Sequence, residues 1–183
     1  MIGKKNIAFG FLYLVLTAAL GPYMIANTVA DIDKAYLDKQ KPVQRLQDLK
    51  TNNFEEELEP LNADQIAKAN TVGILAINNI INLETPQGFM RTVHAHGNLE
   101  AVLNILAGLV LCFLAVGRAF KQAISWLFIA GAILHSGMLY LGAFGQTWAF
   151  KLLLAGPWLV LAALFCIGIA TVMGFRGEIV KDD

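Results

Sequence analysis

The sequence predicts an all-α membrane protein, a four-transmembrane-helix bundle with a large external segment between helices 1 and 2. Apolar residues make up 56% of the 183-residue chain and charged residues only 15%, and the mean hydropathy is +0.55. This composition is too apolar for a soluble domain of this size. Four apolar runs each have about the length that crosses roughly 30 Å of hydrocarbon as a helix, and one long polar segment separates the first run from the second.

The first apolar run, residues 7–30, follows two lysines and is predicted as span one. A secretory signal peptide is the competing interpretation, because small residues precede Asp31, but the run is long for the apolar part of such a peptide. Gly21 and Pro22 should kink the helix. A membrane tolerates the kink where a neighbouring helix satisfies the carbonyl group that proline leaves free.

Residues 31–90 contain ten acidic and six basic residues and are therefore predicted to lie outside the bilayer. Five isoleucines in this segment fall within a sector of about 120° at the helical period, which indicates an amphipathic helix. They are Ile66, Ile74, Ile77, Ile80 and Ile81. Because this helix has no basic face, we expect it to cap the bundle rather than to bind lipid.

The other three spans are predicted over residues 93–116, 124–144 and 150–174, and Pro157 should bend the last of them. The basic residues of the short flanks all fall on one side of such a protein: Lys4, Lys5, Arg118, Lys121, Arg176 and Lys181. The positive-inside rule makes this side cytoplasmic, with both termini on the inner side of the inner (plasma) membrane. Basic and acidic residues balance at 14 each, so no basic excess indicates a nucleic-acid partner.

The segment 91–104 places two of the three histidines and a glutamate at the start of span two. Ionisable groups are costly inside a membrane and usually mark a functional site. On a helix these polar side chains border a face of small residues, with His96, Glu100 and Asn104 on one edge and His94 and Asn98 on the other. Glu100 follows His96 by four positions, so its carboxylate is expected to hold the imidazole in one tautomer, as around metal-bound histidines.

Span three carries the third histidine, His135, again among small residues and with Ser136 and Tyr140 beside it. With the turn placed near Phe120, His96 and His135 should differ in depth by roughly 13 Å. If these histidines bind the iron of a haem that stands upright in the membrane, its two axial ligands should lie at nearly the same depth. His96 and His135 are predicted to differ in depth, so we expect one protein ligand per iron. His96 is the first candidate, His94 is the runner-up, and His135 is a second-site candidate.

Haem is the leading cofactor, since the chain has no cysteine–histidine spacing typical of zinc and no glycine-rich phosphate loop. The alternative is that the intramembrane histidines, asparagines and glutamate only hydrogen-bond one helix to another.

The stretch Arg91-Thr92-Val93-His94-Ala95-His96-Gly97-Asn98-Leu99 resembles the second-helix haem-ligand motif of haem-copper oxidase subunit I and its small four-span relatives, which reads approximately Arg-x-x-His-x-His-x-Asn-Leu. This resemblance implies that His96 binds the iron of a haem b and that the protein transfers electrons in respiration. The match covers one helix of four.

The same segment also resembles the styrene oxide isomerases, four-span bacterial proteins that hold haem b between subunits and use ferric iron as a Lewis acid to open an epoxide. Arg91, the pair His96-Gly97 and the pair Leu103-Asn104 follow the order of their motif. Tyr140 would stand where the isomerases have a functional tyrosine.

Three functions therefore remain open at this point: a respiratory b-type cytochrome, a haem-dependent Lewis-acid isomerase, and a non-catalytic structural subunit of a membrane complex. The expected partners are membrane lipid and either further copies of the chain or the other subunits of a larger complex.

Overall fold

Long apolar helices dominate the computed structural model, which describes residues 1–180. Within these residues four helices are long and apolar enough to cross a membrane, namely Gly3–Asn27, Ala63–Phe113, Arg118–Ala143 and Ala155–Gly174. This agrees with the predicted all-α class and with the predicted number of spans.

Span one consists of two helices, α1 (Gly3–Ala18) and α2 (Leu20–Asn27), which are separated at Ala19. Pro22 lies one turn after the end of α1 and has no amide hydrogen to donate to the carbonyl of Ala18. The interruption that the Gly-Pro pair predicts is therefore present, and it falls one turn before the proline.

Residues 23–88 form a compact unit of their own. Helix α3 (Val29–Thr51) is followed by the two-residue strands β1 (Glu55–Glu56) and β2 (Glu59–Pro60), which pair in antiparallel fashion, and then by the first part of α4 (Ala63–Phe113). The predicted amphipathic helix is part of α4, but its isoleucines do not share one environment. Ile80 is buried, whereas Ile74, Ile77 and Ile81 are exposed, so only one side of their sector is covered.

The second compact unit contains residues 1–22 and 89–180. Helix α4 enters it without a break, although the sequence predicted that span two begins near Val93, because polar residues lower hydropathy without interrupting a helical backbone. Helix α4 ends at Phe113 and α5 (Arg118–Ala132) begins directly after Gly117. The turn between spans two and three therefore lies several residues earlier than predicted.

A π-helical turn (Ile133–Gly137) and helix α6 (Met138–Ala143) complete span three. A 3-10 turn (Thr147–Lys151) precedes α7 (Ala155–Gly174), so span four begins five residues later than predicted. Pro157 consequently lies in the first turn of α7, where its missing amide would have no partner in the helix. The physical reason for which Pro157 was expected to bend span four is therefore absent at this position.

The core of this unit lies between α4, α5 and α7 and is built mainly from Leu111, Leu114, Ile124 and Phe128. The amide of Ala115 donates to the carbonyl of Gly174, and the amide of Arg176 donates to the carbonyl of Phe113.

On α1, the ammonium group of Lys5 donates to the side chain of Gln122 at 2.5 Å. The basic residues Lys5, Arg118 and Arg176 therefore lie at one end of the unit, while Lys181 is outside the described residues.

Candidate functional site

Helix α1 fills the face of small residues on α4. A Cβ added at Gly97 would lie 2.8 Å from the Cβ of Thr17, one at Gly10 would lie 2.6 Å from the carbonyl of Ala101, and one at Gly108 would lie 2.7 Å from the carbonyl of Gly3. From the sequence alone, small residues such as these permit the close approach of either a helix or a flat ligand. The close approach of the two backbones shows that it receives a helix.

The carboxylate of Glu100 is the buried acidic group of this site, with 4% of the residue exposed. One of its oxygens lies 2.5 Å from Nδ1 of His135, and the other accepts a hydrogen bond from the hydroxyl of Ser136. The sequence predicted a pair between Glu100 and His96 on the same helix. In the structure Glu100 instead contacts span three, because it points into the helix bundle while His96 is exposed.

The π-helical turn explains how His135 and Ser136, which are neighbours in the chain, both reach one carboxylate. Successive side chains of an α-helix diverge by about 100°, whereas a π-turn inserts an extra residue and is frequent at functional sites. Gly156 of α7 packs directly against the backbone of His135, where a side chain would collide. The wide turn and this glycine together direct both polar groups towards Glu100.

Tyr13 of α1 extends the same network. Its hydroxyl lies 2.8 Å from the hydroxyl of Ser136 and 3.2 Å from the carbonyl of Ala132, and its ring stacks on Phe9 with centroids 5.1 Å apart. The sequence interpretation missed Tyr13 because it counted the residue as part of an apolar run. A signal was present, since the buried residues of α1 recur every three or four positions: Gly3, Asn6, Gly10, Tyr13 and Thr17.

The rings of His96 and His135 are in contact, with centroids 4.9 Å apart and planes inclined by 55°. The predicted difference in depth is therefore wrong. Counted from the true turn, each histidine lies the same number of residues from its helix end, at Phe113 or Arg118. Among residues 1–180 the structure shows no hydrogen bond to the exposed imidazole of His96.

His94 and Asn98 contact the end of α1. Nδ1 of His94 donates to the carbonyl of Thr17 at 3.0 Å, and the hydroxyl of Thr17 donates to Asn98 at 2.8 Å. The ring of His94 also packs against Gly21, where an added Cβ would lie 3.2 Å from it. His94 is thus a side chain of α4 that hydrogen-bonds a carbonyl next to the interruption of span one, although this carbonyl belongs to Thr17 and not to Ala18, which Pro22 leaves free.

Asn104 belongs to a second buried network between α1, α4 and α5. Its amide nitrogen donates to the carbonyls of Glu100 and Phe128, and its amide oxygen accepts from Asn6. Asn6 in turn accepts a hydrogen bond from Ser125. Both amide hydrogens of Asn104 are engaged within the chain, so its position is that of an interhelical contact.

The other two residues of the predicted site lie apart from this cluster. Arg91 is exposed, and the ring of Tyr140 packs against Phe144 with centroids 5.0 Å apart. Of the predicted site residues, the structure thus brings together Glu100, His96 and His135.

No protein family model matches the chain, and no curated protein or solved structure matches it either. Within residues 1–180, no group of three or more histidine, cysteine, aspartate or glutamate side chains is arranged to hold a bare metal ion. The imidazole nitrogens with no hydrogen bond in the described residues are both nitrogens of His96, Nε2 of His135 and Nε2 of His94, and a nitrogen of this kind fits an axial ligand of haem.

Proposed function

We propose that the protein is an integral-membrane haem b protein whose iron is bound by His96. The observation that carries the proposal is the exposed imidazole of His96, which lies in a candidate membrane-spanning helix and has no hydrogen bond within the described residues. A polar group that faces outwards from a transmembrane helix needs a partner from outside its own helix. Iron is a partner for which a neutral imidazole nitrogen is well suited.

The surroundings of His96 support an apolar, flat cofactor on the outer face of α4. Leu99 follows three positions later on the same side of the helix and is 56% exposed, and Leu103 continues this side one turn further. Inside the bundle, α1 occupies the small-residue face of α4 and α7 packs on Gly131 of α5. These contacts support the outer face of α4 as the side on which a porphyrin would bind.

The contact between His96 and His135 favours one axial ligand from this chain. Two imidazoles on opposite sides of one iron, each about 2 Å from the metal, have ring centroids about 6 Å apart. The observed 4.9 Å is shorter, so the two rings do not leave space for an iron between them. We propose that His96 binds the iron and that His135 packs against the ligand.

An iron with one protein ligand favours chemistry on a small molecule. When bound, haem b supplies an iron centre that either exchanges electrons or acts as a Lewis acid. His96 would fix the cofactor, and the leucines beside it would keep water from that face. An isomerase of the styrene oxide type is therefore the first candidate, and a respiratory b-type cytochrome docked through residues 31–90 is the second.

We also propose that the protein resides in the inner (plasma) membrane with both termini in the cytoplasm, as a homo-oligomer or as a subunit of a larger complex. The support for the orientation is that Lys5, Arg118 and Arg176 lie at one end of the unit, which the positive-inside rule assigns to the cytoplasm.

The test of the cofactor is an absorption spectrum of the purified full chain, oxidised and reduced, with extraction of any porphyrin. We expect a haem b spectrum, its loss in His96→Ala, and partial recovery of binding when imidazole is added to that variant. His94→Gln is the matched control, two positions away on the same helix, and should keep the haem. A wild-type protein without porphyrin after expression in haem-replete cells would remove the proposal.

A further inference from the structure

We infer that Tyr13 is a positioning residue for the candidate iron ligand, acting through a chain of hydrogen bonds that joins span one to His135, whose ring contacts His96. The chain runs from Tyr13 to Ser136, from Ser136 to Glu100, and from His135 to the same carboxylate. The role towards iron rests on the proposed function, whereas the role towards His135 does not require haem.

The identities of the donors and acceptors determine which group donates in each hydrogen bond of the network. A hydroxyl has one hydrogen, and the hydroxyl of Ser136 gives its hydrogen to the carboxylate of Glu100. The close contact between Tyr13 and Ser136 then requires Tyr13 to be the donor. A carboxylate only accepts, so Nδ1 of His135 carries the hydrogen of this contact.

The resulting tautomer of His135 matters for His96. The hydrogen bond from Nδ1 to Glu100 holds the imidazole of His135 in one orientation. The rings of His135 and His96 are in contact, with centroids 4.9 Å apart and planes inclined by 55°. A fixed His135 ring therefore restricts the orientation of the His96 ring towards iron.

The hydroxyl of Tyr13 keeps the chain in this state because Ser136 has a second acceptor within reach. The hydroxyl of Ser136 lies 3.3 Å from the carbonyl of Ala132, and Tyr13 lies 3.2 Å from the same carbonyl. When Tyr13 donates to Ser136, the hydroxyl of Ser136 remains directed at Glu100. Without Tyr13, Ser136 is free to turn to Ala132, and Glu100 then loses one of its two donors.

The first readout is the tautomer of His135, measured by nitrogen-15 NMR of the full chain before haem is added. In the wild type we expect the hydrogen on Nδ1. Tyr13→Phe removes one oxygen and keeps the ring that stacks on Phe9. This variant should shift the ratio of the two tautomers about fivefold, the effect of one hydrogen bond.

The matched control is Tyr140→Phe, which removes a hydroxyl from the helix that follows His135 and should leave the tautomer unchanged. An unchanged tautomer in Tyr13→Phe, or an equal shift in both variants, would overturn the inference. If Tyr13→Phe does not yield folded protein, Ser136→Ala interrupts the same chain, and an unchanged tautomer there overturns the inference equally.

The second readout is the iron–imidazole vibration of the haem-loaded protein, which a purely structural tyrosine would not move. We expect Tyr13→Phe to shift this vibration, because the His96 ring changes its orientation, and Tyr140→Phe to leave it in place. A colourless protein whose His135 tautomer still responds to Tyr13→Phe would reject haem binding and support the hydrogen-bond chain. Bound haem together with a His135 tautomer that does not respond to Tyr13→Phe would support haem binding and overturn the inference about Tyr13.

Discussion

Nδ1 of His135 lies 2.5 Å from a carboxylate oxygen of Glu100, although the two residues belong to different spans and are 35 positions apart in the chain. This pair joins α4 to the π-helical turn of span three. Burying a carboxylate inside a bundle of apolar helices is costly unless it has donors, and here His135 and Ser136 supply them.

Two substitutions of Glu100 distinguish the contribution of its charge from the contribution of the whole side chain to stability. Glu100→Gln keeps an acceptor for His135, so we expect the protein to remain folded with a loss of about 1–3 kcal/mol in the free energy of unfolding. Glu100→Ala leaves both donors without a partner and should cost more, about 3–5 kcal/mol. Reversible unfolding in mixed micelles measures both values, and equal stability of the wild type and Glu100→Ala would contradict the assigned contacts.

The network of Asn6, Asn104 and Ser125 should affect stability without affecting the cofactor. Asn104→Ala removes contacts to both neighbouring helices, and we expect a loss of about 1–3 kcal/mol in the free energy of unfolding. The haem spectrum of the remaining folded protein should match that of the wild type, because Asn104 uses its hydrogen bonds within the chain. A shifted spectrum would indicate that Asn104 belongs to the cofactor site, as the isomerase resemblance implies.

The glycines between α1 and α4 provide a test of the packing. Gly108→Ala would place a methyl group 2.7 Å from the carbonyl of Gly3, so the two backbones must separate, and we expect a loss of about 1–3 kcal/mol. Gly168→Ala on α7 is the matched control, since a Cβ there meets nothing within 4 Å. The control should be neutral or slightly stabilising, because alanine favours a helix over glycine. Equal effects of the two substitutions would mean that α1 does not pack on this face.

The ion pair between Arg45 and Glu56 predicts a pH dependence in the unit of residues 23–88. The guanidinium group of Arg45 donates hydrogen bonds to both oxygens of Glu56, which lowers the pKa of the carboxyl group below its ordinary 4.5. Because the folded pKa is lowered, the pair contributes stability above the ordinary pKa and loses it as the pH falls through the folded pKa. A carbon-13 NMR titration of Glu56 should show the low pKa.

Two substitutions distinguish the effect of this ion pair on the pKa of Glu56 from the effect of the overall charge of the unit. Arg45→Gln should return the pKa of Glu56 to its ordinary value, while Lys68→Gln, which removes the partner of Asp64, should not. A Glu56 pKa that is the same in the wild type and in Arg45→Gln would contradict the pairing.

Orientation in the membrane is tested with reporters. Tags after Met1 and after Asp183 should both be cytoplasmic, and a reporter inserted next to Glu57 should be external, because the basic flanks lie on one side of the spans. External tags at both ends would reverse the charge-based assignment, and tags on opposite sides would contradict an even number of spans.

Hydropathy was sufficient for the all-α class and for the number of helices long and apolar enough to span a membrane, since four long apolar runs have few other stable outcomes. It misplaced the turn after span two because residues 114–116 are as apolar as the helix before them. Gly117 was the local signal for the end of that turn. The beginning of α4 was missed for the opposite reason, since the polar residues before Val93 continue a helix outside the apolar run.

The partners of the site residues were harder to predict from the sequence. The i to i+4 rule pairs Glu100 with His96, but the choice between His96 and His135 depends on which way Glu100 faces and on the backbone of span three. The π-helical turn has no reliable pattern in residue types, so the approach of His135 and Ser136 to one carboxylate was not predictable. The position of Asn104 between α1 and α5 likewise depends on the packing of α1.

The π-helical turn also affects how this sequence should be compared with others. A π-turn is equivalent to one residue inserted into an α-helix, so the register of residues 138–143 is rotated by about 100° relative to an uninterrupted helix. A homologue without the insertion would align with this chain up to Ala132 and then require a one-residue gap before Met138. An ungapped comparison that starts from His135 would therefore match Tyr140 with a residue on a different side of the helix, so an equivalence based on Tyr140 needs this gap to be placed first.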